Sequence, residues 1–242
     1  MSLWHDELER QGYTIARQAF SPDEVASILH AWSDLVRQRA DDPSLIRNAS
    51  GTVFAARNLL HIFPPAVNVW RRSTLLEIIT ATLGPDAGLV RGLWFDKPPE
   101  QSWSLAWHKD LTIAVRRNDL PSTQFVNPTT KAGVTHVEAP QWLLEQMLTL
   151  RIHLDPITHD NGPLQVVAGS HRHGKNMVDT HDAIDTILGE PGDVLVMRPL
   201  ISHASGNSTS GTTLHRRILH LEFAGCRVLP DGYEWHDFVP VA

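Results

Sequence analysis

From residue 88 onward the chain breaks into short apolar runs separated by turn residues, and that texture narrows the possible folds most. Gly88 to Phe95 reads as a strand ended by Lys97-Pro98-Pro99. Met147 to Leu154 is a second, followed by the turn Asp160-Asn161-Gly162-Pro163. Leu164 to Val167, Val194 to Met197 and Ile218 to Phe223 continue the pattern. Short strands punctuated by Gly, Pro and Asn predict a sandwich or barrel. The earlier residues read differently. Leu3 to Gln11 is a short helix closed by Gly12, and Tyr13 to Ala16 is β-prone. Ser21, Pro22 and Glu24 form a helix start as N-cap, N1 and N3. Val25, Ile28, Leu29, Trp32, Leu35 and Val36 then recur at helical spacing. A third helical region is expected over about Pro65 to Leu83, ending at Gly84-Pro85. Helices first and strands later predict a mainly β, α+β fold, with helices packed on one face of a β core. We expect a single domain over residues 1–242, with a helical part to about residue 87 and the β core from about 88 to 242.

Composition narrows the function classes. With 42% hydrophobic and 20% charged residues, the chain can bury a core. No apolar run approaches the roughly 20 residues that span a bilayer, and the start lacks the basic and apolar regions of a signal peptide. A single cysteine, Cys226, excludes an intramolecular disulfide framework and fits a reducing, cytoplasmic setting. A net charge of −6 argues against nucleic acid as the main partner. A small-molecule substrate, and neither nucleic acid nor membrane, is therefore the expected partner; nothing in the pattern speaks for one oligomeric state. Zinc-thiolate, P-loop, Gly-x-Ser-x-Gly and Gly-x-Gly-x-x-Gly patterns do not occur.

One constellation carries chemistry. His108 and Asp110 sit two apart, so on a strand both point to one face and Lys109 points away. His203 lies far downstream, just after the strand Val194 to Met197. Two imidazoles and one carboxylate on one face of an ion suit non-haem Fe(II) and leave positions open for a cosubstrate and O2. A basic residue follows on the last clear strand, where a planar guanidinium suits a carboxylate bidentately. Strand parity leaves Arg216 and Arg217 both open. Arg216 is favoured, because it shares a face with His220 and Glu222 while Arg217 shares the apolar face of Leu219, Leu221 and Phe223. The rival His171-Arg172-His173 reads as an exposed turn, and His153 and His159 lack a carboxylate at useful spacing. Lys97, Lys109, Arg116, Arg117 and Arg151 lie near the motifs and raise the expectation of an anionic substrate. The polar, turn-rich segment from Arg117 to Pro140 is expected to be a long loop serving as a mobile wall or lid over the substrate entrance.

These residues, taken in order, resemble the phytanoyl-CoA dioxygenase family of Fe(II)/2-oxoglutarate oxygenases. The matching stretches include Glu9-Arg10-Gln11-Gly12-Tyr13, Phe20-Ser21-Pro22-Asp23-Glu24-Val25 and Phe95-Asp96-Lys97-Pro98-Pro99. Trp107-His108-Lys109-Asp110, His153-Leu154-Asp155, Asp160 to Leu164, Gly169-Ser170-His171-Arg172 and His203-Ala204-Ser205-Gly206-Asn207 with Arg216 complete the set. The resemblance implies a double-stranded β-helix, the cupin-like jelly roll. It implies iron on His108, Asp110 and His203, and the 2-oxoglutarate C5 carboxylate on Arg216 with Ser205. Arg91 is a weaker cosubstrate candidate. Arg151 stands where the family often has an aromatic residue, so it is expected to touch cosubstrate or substrate. Related halogenases lack the metal-binding carboxylate, so Asp110 implies hydroxylation or desaturation, with release of succinate and CO2. The competing reading is a cupin-like metal-binding or sensor protein without oxygenase turnover.

Overall fold

The computed structural model describes residues 3–99, 102–178 and 184–242. Helix α1 (Leu3–Gln11), strand β1 (Tyr13–Ala16) and helix α2 (Pro22–Gln38) open it. Strands β2 (Leu45–Arg47) and β3 (Val53–Ala56) follow, then helices α3 (Leu59–Ile62), α4 (Pro65–Asn68) and α5 (Ser73–Leu83). Next come β4 (Gly88–Phe95), β5 (Leu105–His108), β6 (Thr112–Ala114), β7 (Val126–Lys131), β8 (Val134–Glu138), α6 (Gln141–Glu145) and β9 (Met147–His153). The last strands are β10 (Leu164–Val167), β11 (Ile184–Ile187), β12 (Val194–Met197), β13 (His203–Ser205), β14 (Ile218–Ala224) and β15 (Val239–Pro240).

The strands form antiparallel sheets. The largest has the order β1-β12-β9-β14-β4-β3-β2, with β15 added beside β4. The second is β11-β10-β13-β5. Together they make the jelly roll. The alternation of side chains along a strand gives the large sheet two different faces. On β9 and β14, Leu148, Leu150, Ile152, Leu219, Leu221 and Phe223 bury against the helices. On the opposite face, Arg151, His220 and Glu222 point between the sheets. The same division holds on β4, where Trp94 faces the helices and Arg91, Leu93 and Phe95 face the interior. One part of that interior is dry, filled by Leu164, Val166, Ile187, Leu195, Met197 and Ile201.

Helix α2 forms as its start predicts. The Ser21 side chain accepts from the Glu24 amide at 3.3 Å and the Glu24 carboxylate accepts from the Ser21 amide at 2.8 Å. Its buried residues Val25, Ile28, Trp32 and Leu35 form one stripe. Trp32 stacks on Trp94 with ring centroids 4.0 Å apart, and Phe63 meets both rings edge-on. This aromatic cluster joins the helical layer to the strand whose other face lines the interior.

Three expectations need correction. The single helix over Pro65 to Leu83 is two helices, because Arg72 is extended (φ −119°, ψ 144°) and breaks the run. Its guanidinium instead binds the carbonyls of Val69 and Ala19 and the carboxylate of Glu24. The part before residue 88 also holds, besides the expected strand at Tyr13–Ala16, strands β2 and β3, and all three extend the large sheet. Finally, Arg117 to Pro140 is not an irregular loop. Most of it is the β7–β8 hairpin, which pairs with β6 in a third sheet. Phe125 and Val137 pack with Ile113, Tyr233 and Trp235, and Asn58 Nδ2 donates to the Ala132 carbonyl at the hairpin tip, 3.1 Å away. The hairpin forms a packed wall whose tip is held by Asn58.

Removing the central ring of the aromatic cluster should be costly. Trp94 is fully buried, so Trp94→Ala is expected to lower the unfolding free energy by about 3–5 kcal/mol. Urea denaturation, with the slope against denaturant unchanged, measures this.

Candidate metal centre and its cavity

The antiparallel pairing of β5 with β13 sets His108 directly opposite His203. Residues far apart in the chain thus become cross-strand neighbours, with ring centroids 4.2 Å apart. Asp110 joins them in a different way from that expected. Strand β5 ends at His108, so same-face alternation does not position the carboxylate. Instead the Asp110 amide donates to the Pro199 carbonyl at 3.0 Å, tying this turn to the segment that leads into His203. Lys109 does point away, but into the protein: its Nζ donates to the carbonyls of Ser170 and Gly174 at 2.9 and 2.7 Å.

The donor set fits a metal ion. One ligand atom from each of the three residues lies within 4.8 Å of the others. Asp110 Oδ1 is 3.9 Å from His108 Nε2, and Oδ2 is 3.7 Å from His203 Nε2. These gaps are too long for hydrogen bonds. Each is shorter than twice a ligand bond of about 2.1 Å, so one ion can reach across it. Each imidazole is oriented from behind: His108 Nδ1–H donates to the Ala106 carbonyl (2.7 Å) and His203 Nδ1–H to the Ile201 carbonyl (3.0 Å). A carbonyl can only accept, so both Nε2 atoms carry lone pairs that face Asp110. Protonation states agree. Burial pushes His203 down to about 4, helped by His108 and resisted by Asp110. Burial alone would raise Asp110, but the charges of His203, His220, His108 and Arg91 outweigh it and hold it at about 2. Near neutral pH Asp110 is anionic and His203 is neutral, as ligation requires.

The triad opens into a cavity of about 440 Å³ between the two main sheets. Arg216, Ser205, Arg91 and Arg151 all line this cavity. Arg216 precedes β14 but keeps its alternation, and it is 2% exposed. Its Nε has no partner, and no ion pair involves its guanidinium among the described residues. Burial and repulsion from Arg151 push it down to about 9. Arg217 does not line the cavity, and its guanidinium is bonded to Asp155. Ser205 Oγ accepts from the fully buried Lys97 at 3.1 Å. Arg91 is paired with Glu222. Arg151 Nη1 donates to His220 Nδ1 at 3.1 Å, so His220 Nε2–H donates to Glu222 at 3.1 Å. These four residues form one buried polar chain across β9, β14 and β4.

Of the basic residues read near the motifs, Arg151 alone lines the cavity. Lys97 and Lys109 are buried beneath the site, and Arg116 and Arg117 are exposed partners of Glu234 and Asp119. Sequence reasoning missed Arg57 and Lys131, which do line it. Only the pairing of β2–β3 with β4 and the hairpin register could have revealed them. A second group, His61, His236 and Asp237, also gathers ligand atoms, but at the surface and with His61 already bonded to Asp237 at 2.8 Å.

The family model for phytanoyl-CoA dioxygenase (PhyH) matches residues 8–218. The chain belongs to this family, and with it to the dioxygenases that use Fe(II), 2-oxoglutarate and O2. Solved structures share the fold. Iron-bound EctD from S. alaskensis is 20% identical, with a TM-score of 0.71, over 93% of this chain and 76% of that one. AviO1 from Streptomyces viridochromogenes Tue57 is also 20% identical, with a TM-score of 0.62, over 91% and 93% of the two chains. The carbocyclase SnoK from nogalamycin biosynthesis is 14% identical, with a TM-score of 0.66, over 93% and 84%.

Lys97 should leave a signature in stability. Burial, with Arg216 and Arg151 nearby, lowers it from 10.5 to about 6. The unfolded chain then holds the extra proton between those values, so stability rises with pH from about 6 towards 10. Lys97→Met should flatten this slope, and chemical denaturation at pH 6, 7.5 and 9 measures it.

Proposed function

We propose that the protein is an Fe(II)/2-oxoglutarate-dependent hydroxylase of a small organic substrate, working in the cavity at His108, Asp110 and His203. The observation that carries this reading is the pairing of two features in one cavity. A two-imidazole, one-carboxylate set leaves room on an octahedral ion. Beside it, the buried guanidinium of Arg216 lacks the anion that its burial calls for. Fe(II) and 2-oxoglutarate bound there supply, with O2, the oxidative decarboxylation to succinate and CO2 that drives hydroxylation.

The chain's own residues do the positioning. The Ala106 and Ile201 carbonyls fix both imidazoles, and Asp110 brings one negative charge to the ion. Arg216 takes the far carboxylate of 2-oxoglutarate, where its fork geometry fits two oxygens. Because Ser205 Oγ already accepts from Lys97, its own O–H is free to donate to that carboxylate. Arg151 is held by His220 with its charge turned to the same space, and Arg91 is committed to Glu222. Phe95, Trp103 and Leu164 supply apolar walls that exclude water from the reacting centre. EctD has been solved with 2-oxoglutarate and 5-hydroxyectoine at 19% identity to this chain. A shared fold that holds 2-oxoglutarate together with a small hydroxylated molecule supports the reading.

Anaerobic calorimetry should show one Mn(II) or Fe(II) bound per chain, lost in both His108→Ala and His203→Ala. Arg216→Ala should keep the metal and lose about 3–5 kcal/mol of 2-oxoglutarate binding, whereas Arg217→Ala should change it little. With Fe(II) and O2 the parent should convert 2-oxoglutarate to succinate. Tight metal binding by both histidine variants, or a damaging Arg217→Ala beside a harmless Arg216→Ala, would overturn the assignment.

A further inference from the structure

The cavity holds more positive charge than the chemistry described so far uses. Five cationic side chains line it, Arg57, Arg91, Lys131, Arg151 and Arg216, against the two carboxylates of Asp110 and Glu222. Arg91 is matched by Glu222, and Asp110 belongs to the triad. Arg216 is assigned to the cosubstrate, with Arg151 beside it. Arg57 and Lys131 remain. Arg57 makes no side-chain hydrogen bond or ion pair among the described residues, although it is half-buried. Lys131 Nζ has only the Thr112 hydroxyl, at 3.1 Å.

The fold holds these two cations together and apart from Arg216. The Arg57 amide is bonded to the Ser44 carbonyl, and its neighbour Asn58 grips the hairpin tip next to Lys131. Burial and the charges of Arg91 and Arg57 push Lys131 down, and burial and Arg91 do the same to Arg57. Arg216 feels a different set, Arg151 and Asp96. Along β14, Arg216 precedes the Ile218–Phe95 pair, whereas Arg91 pairs with Glu222 near the other end of the strand, and Arg57 follows the Ala56–Trp94 pair in the direction of Arg91. Unpaired cations in an exposed surface would be hydrated at little cost. Here they face an enclosed space that also presents Ile46, Phe54 and Leu105. Such a wall suits a ligand with an apolar body and an anionic end.

We propose that the substrate is a small molecule bearing a carboxylate or phosphate group, and that Arg57 and Lys131 bind that group at the end of the cavity away from Arg216. This rests on the oxygenase reading for the identity of the bound molecule as substrate. The anion fixes one end, and the cavity length then decides which carbon lies over the metal centre.

The test uses three probes of similar shape, benzoate, phenylphosphate and uncharged benzamide. They are titrated by calorimetry into protein saturated with Mn(II) and 2-oxoglutarate, without O2. At least one anion should bind ten times or more tighter than benzamide, and the better of the two identifies the group as carboxylate or phosphate. Arg57→Gln and Lys131→Met should each cut that preference at least fivefold while leaving 2-oxoglutarate affinity within twofold of the parent. Benzamide binding as tightly as both anions, or a full preference kept in both variants, would overturn the proposal alone. Failure of the Mn(II)-loaded parent to bind 2-oxoglutarate would overturn the oxygenase reading and the substrate assignment with it.

Discussion

The contact on which the site depends is the cross-strand pairing of His108 with His203. Neither histidine lies in a motif that places a metal by local geometry, because one ends β5 and the other begins β13. Only the register between those strands brings them within one ion's reach. Side-chain period on a strand is two, so a slip of one residue would turn one imidazole to the opposite face and abolish the centre. The sheet guards against that slip with apolar residues that must stay inside. On β10, the next strand over, Val166 pairs with His203 and packs in the dry interior with Ile201 and Leu195. The candidate metal centre is therefore held by the same alternation that builds the core.

The large sheet solves a related problem, that of keeping charge inside a sandwich. Its helix-facing side is apolar throughout β9 and β14, and the aromatic cluster of Trp32, Phe63 and Trp94 locks it in place. That rigid backing allows the other side to carry Arg151, His220, Glu222 and Arg91 as a single hydrogen-bonded chain. Buried charges are costly unless paired and bonded, and here four adjacent strand positions pair with one another, although Arg91 keeps Nε and Nη1 without a partner. Arg216 goes further: its Nε is orphaned, no ion pair involves it among the described residues, and the face of Trp103 at 6.0 Å offers only weak compensation.

What could be read from the sequence was what local chemistry or strand alternation dictates. Ser21, Pro22 and Glu24 announce the α2 start because a capping box is built from residues three apart. The strands Gly88–Phe95, Leu164–Val167 and Val194–Met197 stand out because they are apolar and end at turn residues. The sequence shows the triad only as an ordered pattern, whose side chains the fold brings together, and the alternation that continues from Glu222 and His220 puts Arg216, not Arg217, on the cavity. The break at Arg72 was not, because its cause is tertiary: the guanidinium is recruited by Glu24 and Ala19, far away in the chain. The β7–β8 hairpin was hidden because its outer strand is polar and exposed, and only Val134 to Glu138 buries residues in alternation. Arg57 and Lys131 were hidden for the same reason, since nothing near them in sequence marks a cavity.

The charge balance of the cavity bears on how its ligands would bind. Among the described residues no ion pair involves Arg216, and neither Arg57 nor Lys131 is bonded to a carboxylate. On the proposed reading, a divalent cation would meet Asp110 and two imidazole lone pairs but add positive charge to a space already rich in it. A dianionic cosubstrate would offset both the ion and Arg216, so metal and 2-oxoglutarate would favour each other's binding, as linkage requires in both directions. The Arg57 and Lys131 end would stay without an anion until a substrate with an anionic group arrived there, which would tie the filling of the centre to a substrate of the right charge.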